Sequence, residues 1–123
     1  MKAPWVVEFY ATVTGRHVLF DEVRELLTVR QIARLRKHVG RLETYGPGLD
    51  GDFFDRVRGS ALSLGEFRVT LDKVELRLLF SLEPGRTYVM LVAHKEKRGD
   101  IPRSKIQTAE QRLRDWRSRH REV

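Results

Sequence analysis

The stretch that decides the fold runs from Gly65 to Lys95 and reads GEFRVTLDKVELRLLFSLEPGRTYVMLVAHK. Apolar and polar residues alternate along most of it, which is the period of a β-strand with one buried face. Two breaks interrupt the alternation, Asp72-Lys73 and Glu83-Pro84-Gly85-Arg86, and both have the length of hairpin turns. The sequence therefore predicts an antiparallel meander of three strands, at about Glu66 to Leu71, Val74 to Leu82 and Thr87 to Lys95.

Counting outward from the two turns places charged side chains together on one face of this meander. A two-residue turn at Asp72-Lys73 sets Arg68 opposite Arg77, and a four-residue second turn sets Glu75 opposite His94. At about 5 Å and an effective dielectric near 20, two facing arginines repel by about 3 kcal/mol, so an anion must offset them. The predicted polar face carries side chains suited to phosphate binding and proton transfer: Glu66, Arg68, Glu75, Arg77, Tyr88 and His94.

Two interpretations of that face stay open. Either the arginines hold a phosphate, or Glu66 and Glu75 neutralise them in a structural lattice of ion pairs. The opposite face is almost wholly apolar and requires helices packed over it. Its predicted members are Phe67, Val69, Leu71, Val74, Leu76, Leu78, Phe80, Leu82, Val89 and Leu91. We therefore expect helices on one face and a half-open sheet on the other.

The flanking segments complete the prediction of a small α+β fold. Trp5 to Tyr10 is β-branched and aromatic and predicts a first strand. Asp21 is a candidate cap for a short helix, and a helix with apolar residues at steps of three and four follows from Val29 to Leu42. Leu49 to Ser60 shows no clear periodicity and is expected to be a loop or a short connection. Pro102 to Trp116 predicts a final helix.

The second helix carries basic residues on the side away from its apolar stripe: Arg30, Arg34, Lys37 and Arg41. Such a stripe is more often a solvated surface than a ligand site, although four cations can rest on phosphates. We interpret it as a docking surface for RNA and not as part of the chemistry.

Composition favours a polyanionic partner. The chain has 24 Lys plus Arg against 17 Asp plus Glu, a formal charge of +7 and a pI near 10.2. Most of the cations are arginine, which forks onto phosphates and stacks on bases. The plain alternative is a soluble basic protein with no such partner.

Other counts exclude whole classes of protein. The chain has no cysteine, which excludes disulfides and thiolate chemistry and favours a reducing compartment, the cytoplasm. Its four histidines are scattered, and its longest apolar run, Tyr88 to Ala93, is too short to cross a bilayer. We expect no metal site, no cofactor and no membrane partner. A chain of 123 residues fits a single domain, residues 1–123.

Five short motifs stand out: Tyr45-Gly46-Pro47-Gly48-Leu49, Arg56-Val57-Arg58-Gly59-Ser60, Gly65-Glu66-Phe67-Arg68-Val69, Glu75-Leu76-Arg77-Leu78-Leu79-Phe80 and Glu83-Pro84-Gly85-Arg86. With the order of strand, two helices, meander and final helix, they resemble the phage-derived branch of the RelE/HigB toxins of bacterial type II toxin–antitoxin systems. The segment after the third strand departs from that pattern. His94 stands where phenylalanine is usual, Glu96 replaces a lysine, and Lys97 matches.

The resemblance implies an endoribonuclease that cleaves mRNA, commonly on the ribosome, and that a cognate antitoxin, a small helix-turn-helix protein, silences. His94 is the best candidate for proton transfer because its unperturbed pKa is near 6.5, with Glu75 orienting it or Glu66 as an alternative base. The predicted catalytic residues are Arg68, Arg77, His94, Lys97 and Glu75. The predicted RNA-binding residues are Arg30, Arg34, Lys37, Arg41, Tyr88, Lys95 and Arg98.

A different class of function fits the same pattern. ParE-type toxins share the architecture but poison a topoisomerase by binding to it. A plain nucleic-acid-binding protein would use the basic stripe in a similar way. Both alternatives act without cleaving RNA.

Overall fold

A computed structural model describes residues 4–49, 54–96 and 99–120. The elements follow in the order β1 (Val6–Phe9), α1 (Val18–Leu26), α2 (Val29–Tyr45), a 3₁₀ helix (Gly46–Gly48), β2 (Phe54–Arg56), β3 (Gly65–Leu71), β4 (Val74–Glu83), β5 (Thr87–Lys95) and α3 (Arg103–Arg119). The strands form one sheet in the order β1-β5-β4-β3-β2. The predicted α+β class is confirmed, although β1 runs parallel to β5 and makes the sheet mixed.

Local sequence explains the limits of the second helix. Thr28 and Gln31 form a capping box, in which the Thr28 Oγ1 accepts from the Gln31 N–H at 3.1 Å and the Gln31 Oε1 accepts from the Thr28 N–H at 2.9 Å. The helix ends at Tyr45 and is capped by Gly46, whose φ of 54° lies in the left-handed region. A Cβ at Gly46 would also collide with the ring of Trp5. Both ends of α2 are therefore encoded locally.

Two predictions about the N-terminal half are wrong. Helix α1 begins at Val18, so Asp21 lies inside the helix and does not cap it; its N–H donates to the His17 carbonyl at 3.0 Å. The segment expected to be a loop contains β2, which pairs with β3 and sets Asp55 opposite Glu66. Three residues are too few to show a periodicity, so this strand leaves little trace in the sequence.

The first hairpin of the meander has the predicted register. Asp72 and Lys73 have φ angles of 47° and 70°, as both central residues of a type I′ turn require. The turn is therefore two residues long, and Arg68 pairs with Arg77.

The second hairpin departs from its predicted register twice. The turn is one residue tighter, because Glu83 pairs with Thr87. A β-bulge opposite Leu79 and Phe80 then shifts the pairing by one further residue, since Phe80 pairs with Met90 whereas Leu79 pairs with Val92. A one-residue shift moves every following side chain to the other face, and a second shift moves it back.

These two shifts redistribute the side chains of β5. Between the turn and the bulge, Tyr88, Val89 and Leu91 occupy the faces opposite to those predicted. Beyond the bulge, His94 returns to the predicted face, where it pairs with Arg77 and not with Glu75.

Two hydrophobic cores consequently form, one on each face of the sheet. Residues of α1 and α2 pack on the face of Phe67 and Tyr88. Residues of α3, including Leu113, pack on the face of Val89 and Leu91. The prediction of helices on one face holds for α1 and α2, whereas α3 lies on the opposite face because the shifted register supplies an apolar surface there.

Helix α3 contacts β4 and β5 and is fixed by polar contacts. Arg117 donates to both carboxylate oxygens of Glu83, at 2.7 and 3.0 Å. Tyr10, the residue after β1, donates its hydroxyl hydrogen to Asp115 Oδ2, and the two oxygens are 2.6 Å apart. Because α3 is fixed over β4 and β5, polar side chains occupy the β3 part of this face. Within the described ranges, no helix combines the length and apolar character needed to span a bilayer.

Candidate functional site

Three side chains line up across the meander on the face that α3 partly covers. Arg68 on β3 lies opposite Arg77 on β4, and Arg77 lies opposite His94 on β5. Glu66, two residues before Arg68, points to the same face because side chains alternate along a strand. We call these four residues, Glu66, Arg68, Arg77 and His94, the polar row.

Arg77 is the buried centre of the polar row. It is 7% exposed, and its Nε lies 3.2 Å from Glu66 Oε1. Its Nη1 donates to the carbonyl oxygen of Gly99 at 2.8 Å. Arg77 therefore joins β3, β4 and the segment that leads into α3, as the lattice interpretation requires.

Arg68 is held far more loosely. Its side chain is 30% exposed, and it lies 3.7 Å from Asp55 and 3.9 Å from Glu66, near the outer limit of an ion pair. In the part of the chain that the structure describes, no residue accepts a hydrogen bond from its buried Nε. A guanidinium has five N–H donors, so Arg68 keeps donors that an anion can engage.

His94 is buried at the β5 end of the polar row. Its Nε2 lies 3.1 Å from Glu96 Oε2. Burial lowers the pKa of His94, and the nearby cations Lys105 and Arg77 lower it further, although Glu96 opposes them. The imidazole is therefore neutral at neutral pH, the state in which a histidine accepts a proton.

Glu66 is shifted in the opposite direction. It is 8% exposed, and burial raises its pKa even though Arg77 and Arg68 lie beside it. A carboxyl that retains its proton more readily than usual and an imidazole that gives its proton up more readily have the properties of an acid and base pair. The row thus combines a loosely held cation with two groups whose shifted pKa values suit proton transfer.

Two predicted site residues do not contribute in the predicted way. Glu75 pairs with Thr70 and not with His94, so the predicted pairing of Glu75 with His94 is wrong, and the catalytic role of Glu75 stays a prediction. Tyr88 is 2% exposed and packs against Trp5 and Phe80, with ring centroids 5.8 and 5.3 Å apart; burial raises its pKa to about 12. Its ring is not presented to an RNA base, because the tighter turn points it into the core.

The predicted lysines and Arg98 lie away from the row or outside the described residues. Lys95 is on the α1 and α2 face, where its Nζ donates to the carbonyl oxygen of Leu26 at 3.0 Å. It therefore does not support a phosphate held by Arg68. Lys97 and Arg98 lie outside the described residues.

The basic stripe of α2 lies beside the turn of the first hairpin. Asp72 in that turn accepts contacts from Arg34 at 2.7 Å and from Arg30 at 3.2 Å. Lys37 and Arg41 are exposed farther along the helix. Half of the stripe is thus partly neutralised within the protein, and its contact with RNA stays a prediction.

Three charged residues near the polar row escape prediction from sequence: Asp55, Glu96 and Lys105. Asp55 arrives on the short strand β2, and Lys105 arrives on α3, where its Nζ donates to the Ala93 carbonyl oxygen at 2.8 Å. Glu96 alone carries a signal, because it follows His94 by two residues and a strand places such residues on one side. Across residues 4–49, 54–96 and 99–120, no three His, Asp or Glu side chains are grouped as metal ligands.

The fold and the polar row define a small α+β protein with a charged site on its sheet. The profile of the family described as phage-derived protein Gp49-like (DUF891) matches residues 21–114. This match covers most of the chain, so the protein belongs to the Gp49-like family, which is associated with the toxins of toxin–antitoxin systems. Such a toxin-like protein implies an antitoxin as its partner. No curated protein matches the chain.

Proposed function

We propose that this protein is a one-domain toxin of the RelE/HigB kind, an endoribonuclease that cleaves mRNA on the ribosome in the cytoplasm and so inhibits translation. The observation that carries the proposal is the polar row. On one face it aligns a loosely held arginine and a glutamate of raised pKa on β3 with a histidine of lowered pKa on β5, and Arg77 lies between them on β4. The charge of +7 supports a polyanionic substrate.

The row supplies the functions that RNA cleavage needs. In the proposed step the 2′-oxygen attacks the adjacent phosphorus, the bond from phosphorus to the 5′-oxygen breaks, and a 2′,3′-cyclic phosphate and a 5′-hydroxyl form. Arg68 binds the non-bridging oxygens as negative charge builds up on them. His94 accepts the proton of the 2′-hydroxyl, and the fraction of Glu66 that retains its proton, which the raised pKa enlarges, donates that proton to the leaving 5′-oxygen. Arg77 holds Glu66 in place.

The chemistry proposed here uses no metal or cofactor, because an arginine supplies the positive charge. Lys97 belongs to the same proposal as a catalytic residue that supports the phosphate. Arg98 and the basic stripe of α2 are proposed as further contacts to RNA that bind substrate and do not take part in the reaction.

One observation favours the alternative in which a ParE-like or nucleic-acid-binding toxin acts by binding alone. Arg77 is buried with Glu66 and the Gly99 carbonyl. A polar row whose central arginine is already engaged by protein groups is typical of a structural lattice of ion pairs. The alternative predicts inhibition of a target, such as a topoisomerase, without any change in RNA.

The deciding experiment incubates the purified protein with ribosomes and mRNA at the Mg²⁺ concentration that keeps the ribosomes intact. We expect cleavage that leaves 2′,3′-cyclic phosphate ends, a loss of at least 100-fold in His94→Gln and in Arg68→Ala, and unchanged cleavage in Arg16→Ala. Arg16 is exposed in the segment between β1 and α1, outside the polar row, and its loss changes the net charge by the same amount as the loss of Arg68. Intact mRNA together with inhibited supercoiling would establish the alternative, and cleavage by both row variants at the wild-type rate would exclude the proposed site.

A further inference from the structure

The edge strand β1 offers backbone groups to a further strand. Within the described residues β1 pairs with β5 alone and ends the sheet. Its Val6 N–H donates to the carbonyl oxygen of Arg86, at 2.8 Å. Because alternate residues of a strand turn their N–H groups to opposite sides, the N–H groups of Val7 and Phe9 point away from β5. An exposed edge of this kind is a template for strand addition.

Beside this edge lies a groove of about 700 Å³ between β1, α1 and α2, which we call the edge groove. Its apolar lining includes Val7, Phe9, Phe20, Ile32, Leu35 and Val39. Phe20 is 46% exposed and stacks on Phe9 with ring centroids 4.7 Å apart. An aromatic side chain left this open beside an apolar groove is typical of an interaction surface.

A second exposed residue favours an extended occupant over a helical one. Val6 is 50% exposed and lies on the other face of β1, because it precedes Val7 by one residue. A helix lying in the edge groove would cover Phe20 and leave Val6 in water. An added strand covers both, since its own side chains alternate between the two faces.

The charge of the protein indicates whether the bound segment is acidic or basic. Arg24 and Arg36 line the edge groove and are exposed, although Asp21 and Glu43 line it as well. The charges that line the groove are thus balanced, and the net charge of +7 determines which segment the protein attracts. A second copy of this chain would bring a further +7 to the interface, whereas an acidic segment is attracted.

We infer that β1 and the edge groove bind an extended segment of the antitoxin, in which a short apolar stretch is flanked by acidic residues. The segment adds a strand beside β1, bonds to the backbone of Val7 and Phe9, and covers Phe20 and Val6. The inference rests on the proposed function, since only a toxin has an antitoxin. The edge pairs with Thr87–Met90 of β5, several residues before His94, so it is distinct from the polar row.

The probe is an acetylated, amidated peptide of four valines flanked on each side by two glutamates, titrated into the ¹⁵N-labelled protein. We expect the amide signals of Val7 and Phe9 to shift and their hydrogen exchange to slow at least tenfold at saturation. Val7→Pro removes only an outward-pointing N–H, which an edge strand tolerates, and should weaken binding at least tenfold. Phe20→Ser should do the same, whereas Val13→Ser, at a residue 74% exposed outside the groove, should bind like wild type.

The inference is overturned if the peptide leaves Val7 and Phe9 unchanged at millimolar concentration, or if a peptide flanked by lysines binds equally well. It is also overturned if the wild type sediments as a dimer that Val7→Pro dissociates, because the occupant would then be a second copy. RNA cleavage measured on the same preparations separates the two proposals. Val7→Pro and Phe20→Ser should cleave RNA at the wild-type rate, and a wild type that binds the peptide without cleaving RNA would sink the proposed function alone.

Discussion

Arg68 and Arg77 face each other across β3 and β4, yet their surroundings differ. The side chain of Arg77 is 8% exposed and lies 3.2 Å from Glu66, whereas that of Arg68 is 30% exposed and lies 3.9 Å from the same carboxylate. The difference arises from position in the sheet, because Arg77 lies on a central strand beside the segment leading into α3. Arg68 is farther from α3. The two arginines therefore share residue type and register but differ in burial, and on that difference we propose Arg77 as a structural cation and Arg68 as the one that meets an anion.

The largest effect is expected from Arg77→Ala. The variant leaves the buried carboxylate of Glu66 without its nearest cation, and breaking a buried pair in this way costs about 3 to 5 kcal/mol. Urea unfolding followed by circular dichroism measures the loss. A cost under about 1 kcal/mol would show that Arg77 is no more structural than Arg68, and the comparison would fail.

Arg68→Ala should give the converse result. Its ion pairs are long and partly exposed, so the free energy of unfolding should fall by less than about 1 kcal/mol. Cleavage should fall by about 100- to 1000-fold, the loss typical of removing one donor that stabilises a developing oxyanion. Single-turnover kinetics and urea unfolding on one preparation test both parts. A variant that is strongly destabilised would move Arg68 into the lattice.

A pH dependence separates the two ends of the polar row. The pKa of His94 is lowered in the folded state, so just below pH 6.5 the unfolded chain binds more protons, and stability is lost as the pH falls through that window. The raised pKa of Glu66 has the opposite sign: just above pH 4.5 the folded state binds more protons, and stability is lost as the pH rises. We therefore expect His94→Gln to lose less stability than wild type between pH 7.5 and 5.5.

Urea unfolding at these two pH values measures that difference. Because His38 also has a pKa lowered by burial, the wild-type curve contains both contributions, and His38→Gln serves as the control. An unchanged pH dependence in His94→Gln would show that His94 is not held neutral.

The smallest effect is expected from Asp72→Asn, which keeps the left-handed turn and removes the carboxylate shared by Arg30 and Arg34. The pairs are exposed, so stability should change by less than about 1 kcal/mol. If the stripe docks RNA, two released arginines should steepen the dependence of log Kd on log salt by about 0.7 each for a single strand. Filter binding from low to moderate salt measures the slope. An unchanged slope would remove Arg30 and Arg34 from the RNA surface.

The register of the first hairpin could be predicted because a two-residue turn leaves one solution. The register of β5 could not, because Val89, Met90, Leu91, Val92 and Ala93 are all apolar and hide the point at which an extra residue enters. For the same reason the face of the sheet on which α3 packs could not be predicted, since that face depends on where Val89 and Leu91 point.

The site was only partly predictable for the same physical reasons. Arg68 and Arg77 follow from alternation and one turn, and His94 reached the predicted face through two shifts that cancel. Asp55 and Lys105 come from a three-residue strand and from a helix on the unexpected face, so nothing local in the sequence links them to the row. How deeply each arginine is buried depends on packing that alternation does not encode.

The bulge in β5 gives that strand one residue more than its ladder with β4 uses. Leu91 lies between Met90 and Val92, which pair with the adjacent residues Phe80 and Leu79. Deleting the single codon for Leu91 would therefore restore a regular ladder and leave His94 opposite Arg77. The cost of such a three-nucleotide deletion would fall on the core beneath α3, which loses the buried side chain of Leu91, while the polar row keeps its partners.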